Sequence, residues 1–319
     1  MEVRASSPHA FAQSAFLRWL RMAIGTGLCA VALACGAPEP TREPVRAELA
    51  RLQKQTGLSL VYFDTSIDTI VFEDRSLSPG KKLSLPGSPT GGTISPNGEE
   101  VAFSYWNPES RTKLGIMRQD GSGLREFQNI HAGYGFCWSH DKSTLALVVQ
   151  NPGRMVVLNL DSEKTQDVPM TTFVGSQCWS QDDNRIVYEF LGSIRVYDVR
   201  RNKWKALAKG REPSWSPDGN WIAFLDDDTY YAIRPSGEDR KVLFKPKRAV
   251  SGLCWSPDSK IVAYVSRTRF PERPWLVVDV GFVRLRIRRL EDNSEDWVAG
   301  FSEIHVPTFQ WVRMGHLNK

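Results

Sequence analysis

The sequence predicts an all-β chain folded as a six-bladed β-propeller of four-stranded antiparallel blades. Three observations carry this: one turn-and-strand phrase recurs along the chain, its copies are spaced at the length of a propeller blade, and the strand inside each copy is apolar on both faces. The phrase is clearest as Glu212-Pro-Ser-Trp-Ser-Pro-Asp-Gly-Asn-Trp-Ile-Ala-Phe224. It returns as Gly92-Thr-Ile-Ser-Pro-Asn-Gly-Glu-Glu-Val-Ala-Phe103, Gly135-Phe-Cys-Trp-Ser-His-Asp-Lys-Ser-Thr-Leu-Ala-Leu147, Ser176-Gln-Cys-Trp-Ser-Gln-Asp-Asp-Asn-Arg-Ile-Val-Tyr188 and Gly252-Leu-Cys-Trp-Ser-Pro-Asp-Ser-Lys-Ile-Val-Ala-Tyr264. A shortened sixth copy, Val306-Pro-Thr-Phe-Gln-Trp-Val312, follows. The phrase serines at 95, 139, 180, 216 and 256 lie 44, 41, 36 and 40 residues apart, the period of a four-stranded blade.

Within each copy, Ser-Pro-Asp-Gly sets Pro at the second position of a type I turn, Asp where its side chain bonds nearby backbone, and Gly at the exit. The strand that follows, Trp221-Ile-Ala-Phe-Leu225 for example, lacks polar alternation, as required when a sheet is packed on both faces. A second pair of strands comes after it, as in Ser193-Ile-Arg-Val-Tyr-Asp-Val199 and Lys203-Trp-Lys-Ala-Leu207. Spare strands at 59–63, 69–73 and 83–85 precede the first copy. We therefore expect the N- and C-terminal strands to share one blade, with 308–312 innermost, an arrangement that removes free sheet edges. The domain reading is a signal peptide over 1–34, a tether and short helix over 35–57, and the propeller over 58–319.

The repeats resemble those of TolB and of the propellers attached to prolyl oligopeptidase-type peptidases, where W-S-P-D-G followed by an apolar strand marks each blade. The resemblance spans residues 60–312 and implies the fold; it says much less about function. TolB carries an α/β domain ahead of its propeller, whereas residues 45–55 here predict only a short amphipathic helix with Val45, Leu49 and Leu52 on one face.

The N-terminal region carries Arg4, Arg18 and Arg21, then an uncharged run over 22–34 that ends Ala32-Leu33-Ala34-Cys35-Gly36, the layout of an export signal. At ~1.5 Å per residue this run spans about 20 Å as a helix, short of the ~30 Å hydrocarbon core. Small residues ahead of Cys35 fit both plain secretion and a bacterial lipoprotein signal, and the Pro-rich stretch after it suits a tether. We expect lipidation at Cys35 and a periplasmic or cell-surface location. The remaining cysteines Cys137, Cys178 and Cys254 form no C-x-x-C motif and read as small buried hydrophobes in different blades, too far apart to pair.

No catalytic or metal motif emerges and no cofactor is implied. Ser139-His140-Asp141 sits in one tight turn and cannot converge as a triad, and Asp226-Asp227-Asp228 reads as a hairpin tip. With 41 Lys+Arg against 36 Asp+Glu the charge is near balance, so no nucleic-acid partner is expected. The most informative irregularity is a long insertion after the fifth copy. It carries Arg267, Arg269, Phe270, Arg273 and Trp275, followed by a strand that sets Arg284, Arg286 and Arg288 on one face. Aromatic and arginine groups are those that protein interfaces use as anchors, so these eight residues are the candidate partner surface. The expected function is that of a monomeric, non-catalytic binding or scaffold propeller at the cell envelope with a protein partner. The alternatives are a carbohydrate-active enzyme or lyase at the channel mouth and a small-ligand receptor. The lipid anchor is checked by the intact mass of protein extracted from membranes of its host: a diacylglycerol increment on Cys35 is expected, and an unmodified Cys35 would remove the anchor.

Overall fold

The computed structural model describes residues 58–66, 69–73, 81–107, 111–118, 120–133, 135–150, 153–169, 174–246, 249–256, 258–268, 282–302 and 308–313. The chain divides at residue 44, and all described residues fall in the unit Val45–Lys319. The signal peptide, the tether, the short helix and Cys35 lie outside them. No helix among the described residues is long and apolar enough to cross a membrane.

Twenty-four strands follow one another. The first three are β1 (Leu58–Ser66), β2 (Thr69–Glu73) and β3 (Lys81–Ser84). Blade 1 comprises β4 (Ser88–Ile94), β5 (Glu100–Asn107), β6 (Arg111–Arg118) and β7 (Arg125–Phe127). Blade 2 comprises β8 (Cys137–Trp138), β9 (Thr144–Val149), β10 (Arg154–Asn159) and β11 (Thr165–Asp167). Blade 3 comprises β12 (Val174–Trp179), β13 (Arg185–Phe190), β14 (Ser193–Asp198) and β15 (Lys203–Lys209). Blade 4 comprises β16 (Arg211–Trp215), β17 (Ile222–Asp226), β18 (Thr229–Ile233) and β19 (Lys241–Phe244). Blade 5 comprises β20 (Ala249–Trp255), β21 (Ile261–Thr268), β22 (Phe282–Arg289) and β23 (Glu295–Ser302), and β24 (Thr308–Arg313) comes last. Every pairing is antiparallel, and the first strand of each blade lies next to the first strand of the following one.

The expectation of six blades is corrected to five. Five sheets are built from four consecutive strands and have packed cores; the strands at the two ends do not make a sixth blade of that kind. They form instead a composite sheet in the order β24-β1-β2-β3, with Leu60 opposite Trp311 and Tyr62 opposite Phe309. The physical reason lies in the last copy of the phrase, which supplies one strand and no turn. The composite sheet takes its other three strands from the N-terminal side, and β24 contacts both β20 and β4. Strands of the two ends do share a sheet, as the spare N-terminal strands predict.

The both-face apolarity of the second strands has a direct structural counterpart. Along β17, Ala223 and Leu225 enter the core shared with blade 5, while Ile222 and Phe224 enter the core shared with blade 3. The same split places Leu145 and Leu147 of β9 against blade 1, and Ala146 and Val148 against blade 3. Each repeated tryptophan packs on the preceding blade: Trp138 on blade 1, Trp179 on blade 2, Trp215 on blade 3 and Trp255 on blade 4. The Trp179 indole N–H donates to the Cys137 carbonyl (3.0 Å) and that of Trp255 to the Ser214 carbonyl (3.3 Å).

The repeated turn owes its recurrence to a buried serine. In blades 1 to 5, Ser95, Ser139, Ser180, Ser216 and Ser256 donate to the side chains of Asn97, Asp141, Asp182, Asp218 and Asp258 at 2.5 to 2.8 Å. The same hydroxyls accept the N–H of the residue that opens or precedes the second strand, as Trp221 does for Ser216 (2.9 Å). The fourth turn residue is left-handed in each, Gly98 and Gly219 where glycine is present and Lys142, Asp183 and Ser259 where it is not. Asp183 gains from this placement, because its carboxylate accepts the N–H groups of His140 (2.8 Å) and Asp141 (2.9 Å) from the neighbouring blade.

Desolvation alone would raise the Asp182 carboxyl, but the Ser180 hydroxyl, the side chain and N–H of Asn184 and the Arg185 charge hold it at about 2. Asp141 and Asp218 are lowered in the same manner, against desolvation, by their own serines and the residues two positions on. A carboxyl depressed by folding stabilises the fold above its unfolded value and loses that contribution as pH falls through its folded value. The melting temperature is therefore expected to drop as pH is taken from about 4 to about 2. Ser180→Ala is expected to cost about 1–2 kcal/mol at neutral pH and to flatten that drop; thermal melts over a pH series check both.

Candidate functional site

Because the blades repeat one strand order, the beginnings of the first strands and the turns between second and third strands gather at one end of the channel. This end carries the least regular chemistry among the described residues. In blade 3 the turn is two residues long, with Phe190 paired to Ser193 and Leu191 and Gly192 between them, both at positive φ (49° and 72°). Turns of that shape favour Asn-Gly, and a leucine in the left-handed region costs on the order of 1 kcal/mol. Leu191 is nevertheless 74% exposed. The turn is held from below: the Gly210 N–H donates to the Gly192 carbonyl (2.9 Å), and the Arg195 guanidinium lies 4.4 Å over both the Phe190 and Trp204 rings. At the same end of blade 1, Trp106 is 49% exposed near the close of β5, with its backbone against Gly87.

Two glutamates meet where β13 ends and β16 begins. Glu212, itself at φ 56°, donates its N–H to the Glu189 carboxylate (3.3 Å) and accepts the Ser176 hydroxyl (2.7 Å). Burial raises Glu189, and the Glu212 charge adds to the rise, against the Glu212 N–H and the Arg211 charge. In blade 4 the acidic hairpin tip appears as read from sequence: Asp227 and Asp228 are exposed, Asp226 pairs with Arg240 (2.7 Å) and Asp228 with Lys245 (3.1 Å).

Of the eight candidate partner residues, Arg269, Phe270, Arg273 and Trp275 lie outside the described residues. Arg267 is set by backbone in β21 opposite Val283, and Arg284 in β22 opposite Ser266 and Gly300. Thr268 pairs with Phe282 at the channel end just described. Arg286 and Arg288 are engaged inside the molecule. Arg286 binds Glu295 (2.8 Å) and the Ser266 hydroxyl (2.7 Å), and Arg288 binds Glu295 (3.0 Å) and Asn293 (3.1 Å) and lies 4.9 Å over the Phe244 ring of blade 4. Tyr264 donates its hydroxyl to the same Glu295 (2.5 Å), and burial followed by that carboxylate pushes the phenol far above its ordinary value. The arginine face thus turns toward blade 4.

Ser139, His140 and Asp141 occupy their turn without converging, His140 contacting Asp183 (3.0 Å) instead. Among the described residues no three His, Cys, Asp or Glu side chains gather as metal ligands. Sequence reasoning missed Leu191, Trp106 and the Glu189–Glu212 contact. The first had a signal, a leucine where a two-residue hairpin favours Asn, Asp or Gly; the contact had none, since its partners are 23 residues apart in different blades.

A folded carboxyl raised above its unfolded value lowers stability as pH rises through the unfolded value, and does so in full above its folded value. Glu189→Gln is accordingly expected to raise the melting temperature at pH ~7 and to converge with the parent near pH ~4, a comparison that calorimetry at the two pH values makes directly.

No family model matches the sequence, and no curated protein matches it. Similarity lies in the folded chain. TolB from Acinetobacter baumannii aligns with a TM-score of 0.59 at 13% identity, over 86% of this chain and 73% of that one. TolB from Agrobacterium tumefaciens aligns at 0.58 and 15% identity, over 80% and 98%. An oligogalacturonate lyase in complex with manganese aligns at 0.54 and 13% identity, over 76% and 74%. The chain therefore has a TolB-like β-propeller fold, assembled from four-stranded antiparallel blades.

Proposed function

We propose that this chain is a non-catalytic protein-binding or scaffold propeller of the bacterial cell envelope, exported and held at a membrane through a lipid on Cys35. The observation that carries the reading is Leu191, an exposed leucine kept in a left-handed turn that a polar residue would occupy at lower cost. Strain retained on an exposed apolar side chain points to use of that side chain in contact with another molecule. Trp106 extends the apolar surface at the same channel end. Strand β21, which carries Arg267, ends there and β22, which carries Arg284, begins there, with Arg269, Phe270, Arg273 and Trp275 between them in sequence. In this reading Arg286 and Arg288 brace β22 against blade 4 rather than meet the partner. Fold likeness to the TolB structures agrees with an envelope location.

Replacing Leu191 by Asn separates binding from folding. Leu191→Asn relieves the turn and is expected to raise stability by roughly 0.5–1 kcal/mol. It is also expected to lower, by at least about tenfold, recovery of the partner cross-linked in the native host, a factor that corresponds to ~1.4 kcal/mol. A stabilised protein that captures its partner undiminished would remove Leu191 from the interface.

One observation favours a second reading, a carbohydrate-active enzyme or lyase. Glu189 and Glu212 adjoin at the channel mouth, and burial makes Glu189 the better proton holder of an acid–base pair. Turnover of a uronate-containing oligosaccharide that is lost in Glu212→Gln would establish it.

A further inference from the structure

Blades 3 and 5 share one register in their outer halves and diverge at two positions. Tyr188 stands opposite Arg195 in blade 3 as Tyr264 stands opposite Arg286 in blade 5. In blade 5 the arginine is met by polar groups: its Nε donates to the Ser266 hydroxyl (2.7 Å) and its Nη1 to one oxygen of Glu295 (2.8 Å). The other Glu295 oxygen accepts the Tyr264 hydroxyl (2.5 Å). Ser266 lies two residues beyond Tyr264, and Glu295 lies opposite the residue two beyond Arg286. The same two positions of blade 3 hold Phe190 and Trp204. Aromatic rings thus replace both partners, and the Arg195 guanidinium lies 4.4 Å over each. Arg195 Nε and Nη1 and the Tyr188 hydroxyl, the very atoms whose blade 5 counterparts meet Ser266 and Glu295, are buried without a hydrogen-bond partner among the described residues. The other blades resemble blade 5 in matching a cation to a carboxylate of their own. Lys113 faces Glu126 (3.7 Å) in blade 1, Arg154 meets Asp167 (2.8 Å) in blade 2, and Arg240 meets Asp226 (2.7 Å) in blade 4. Two ring faces offset part of the cost of burying the Arg195 cation, but they satisfy none of its N–H groups.

We propose that Arg195 and Tyr188 form a carboxylate-binding site on the face of blade 3 that looks at blade 2, where an acidic side chain of a partner or a free sugar acid takes the place that Glu295 fills in blade 5. Glu295 is the template, with one oxygen on a guanidinium and the other on a phenol. A planar carboxylate suits the N–H edge of an arginine better than any neutral acceptor does. Entry is from the outer rim of the blade. Trp204 belongs to the outermost strand and is 37% exposed, and Ala206, opposite Arg195, is exposed and presents only a methyl group. The Trp204 ring turns outward to admit the carboxylate, while Phe190 keeps its stack on the guanidinium. The site adjoins the turn that carries Leu191, since Phe190 precedes it. It stands independently of the protein-binding reading, because a carboxylate of either source satisfies it.

The full-length chain is titrated with a blocked tetrapeptide carrying one glutamate, with its glutamine counterpart and with galacturonate. NMR follows the Arg195 Nε–H and Trp204 indole N–H signals, assigned by their loss in Arg195→Lys and Trp204→Phe. Both signals are expected to shift and saturate with at least one of the two acids and to stay in place with the glutamine peptide. A response to the glutamate peptide alone makes a protein side chain the source, and a response to galacturonate alone makes it a free acid. In Arg195→Lys, which cannot offer a planar N–H edge, affinity read at the Trp204 signal is expected to fall at least about tenfold. Trp204→Glu rebuilds the blade 5 arrangement; it is expected to melt at or above the temperature of the parent and to respond to neither acid. Static signals with both acids, an equal response to the glutamine peptide, or an undiminished response in Trp204→Glu would overturn the proposal. The titration of the parent decides the matter even where a variant fails to fold.

Discussion

The propeller depends on one indole in each of blades 2 to 5, seated against the blade before it, with Ile94 at that position in blade 1. Trp138, Trp179, Trp215 and Trp255 are each at most 7% exposed, and each enters the core of the preceding seam rather than that of its own sheet. A buried tryptophan of this kind contributes about 3–5 kcal/mol against truncation to alanine. The indole N–H adds direction where it reaches the Cys137 or Ser214 carbonyl. Trp138 and Trp215 bury theirs without a hydrogen-bond partner, so in those seams apolar contact alone carries the seating. All else about a blade, its turn and its outer strands, serves to present this side chain at the right height.

The serine turn sets that height. Its hydroxyl donates to one side chain and accepts one backbone N–H, which fixes the first strand relative to the second without a contribution from the rest of the sheet. That is why the phrase tolerates changes in its interior. Pro-Asp-Gly becomes His140-Asp141-Lys142 and Gln181-Asp182-Asp183, yet the buried serine and the aspartate two residues on are kept, and the left-handed fourth residue is filled by Lys142 or Asp183 at a local cost. Asp183 offsets its cost by tying two blades together.

Much of this architecture was legible in the sequence because it is periodic. Ser, Asp and Trp recur at blade spacing, and apolar runs such as Trp221-Ile-Ala-Phe-Leu225 announce a sheet covered on both sides. Legibility ended where one blade meets the next through residues with no fixed offset. Glu189 reaches Glu212 and Arg288 crosses to Phe244, and neither contact is encoded by local pattern. Alternation placed Arg286 and Arg288 on one face correctly, as their shared Glu295 demonstrates, but it could not say that the face looks at blade 4.

The composite sheet couples the two ends of the propeller in time as well as in space. Leu58 pairs with Arg313, so the contact that completes the ring spans nearly the whole described chain, and its loop-closure entropy is the largest in the molecule. Blades 1 to 5 can each form as their own four strands emerge, since every one is local in sequence. The faces of blades 1 and 5 that flank the composite sheet must then wait for Thr308–Arg313 to be made. During that interval the chain is an open stack with two uncovered apolar ends, among them Ile94, Val101, Phe103, Tyr105 and Met117. A chain of this design is most prone to join another copy of itself just before it is finished.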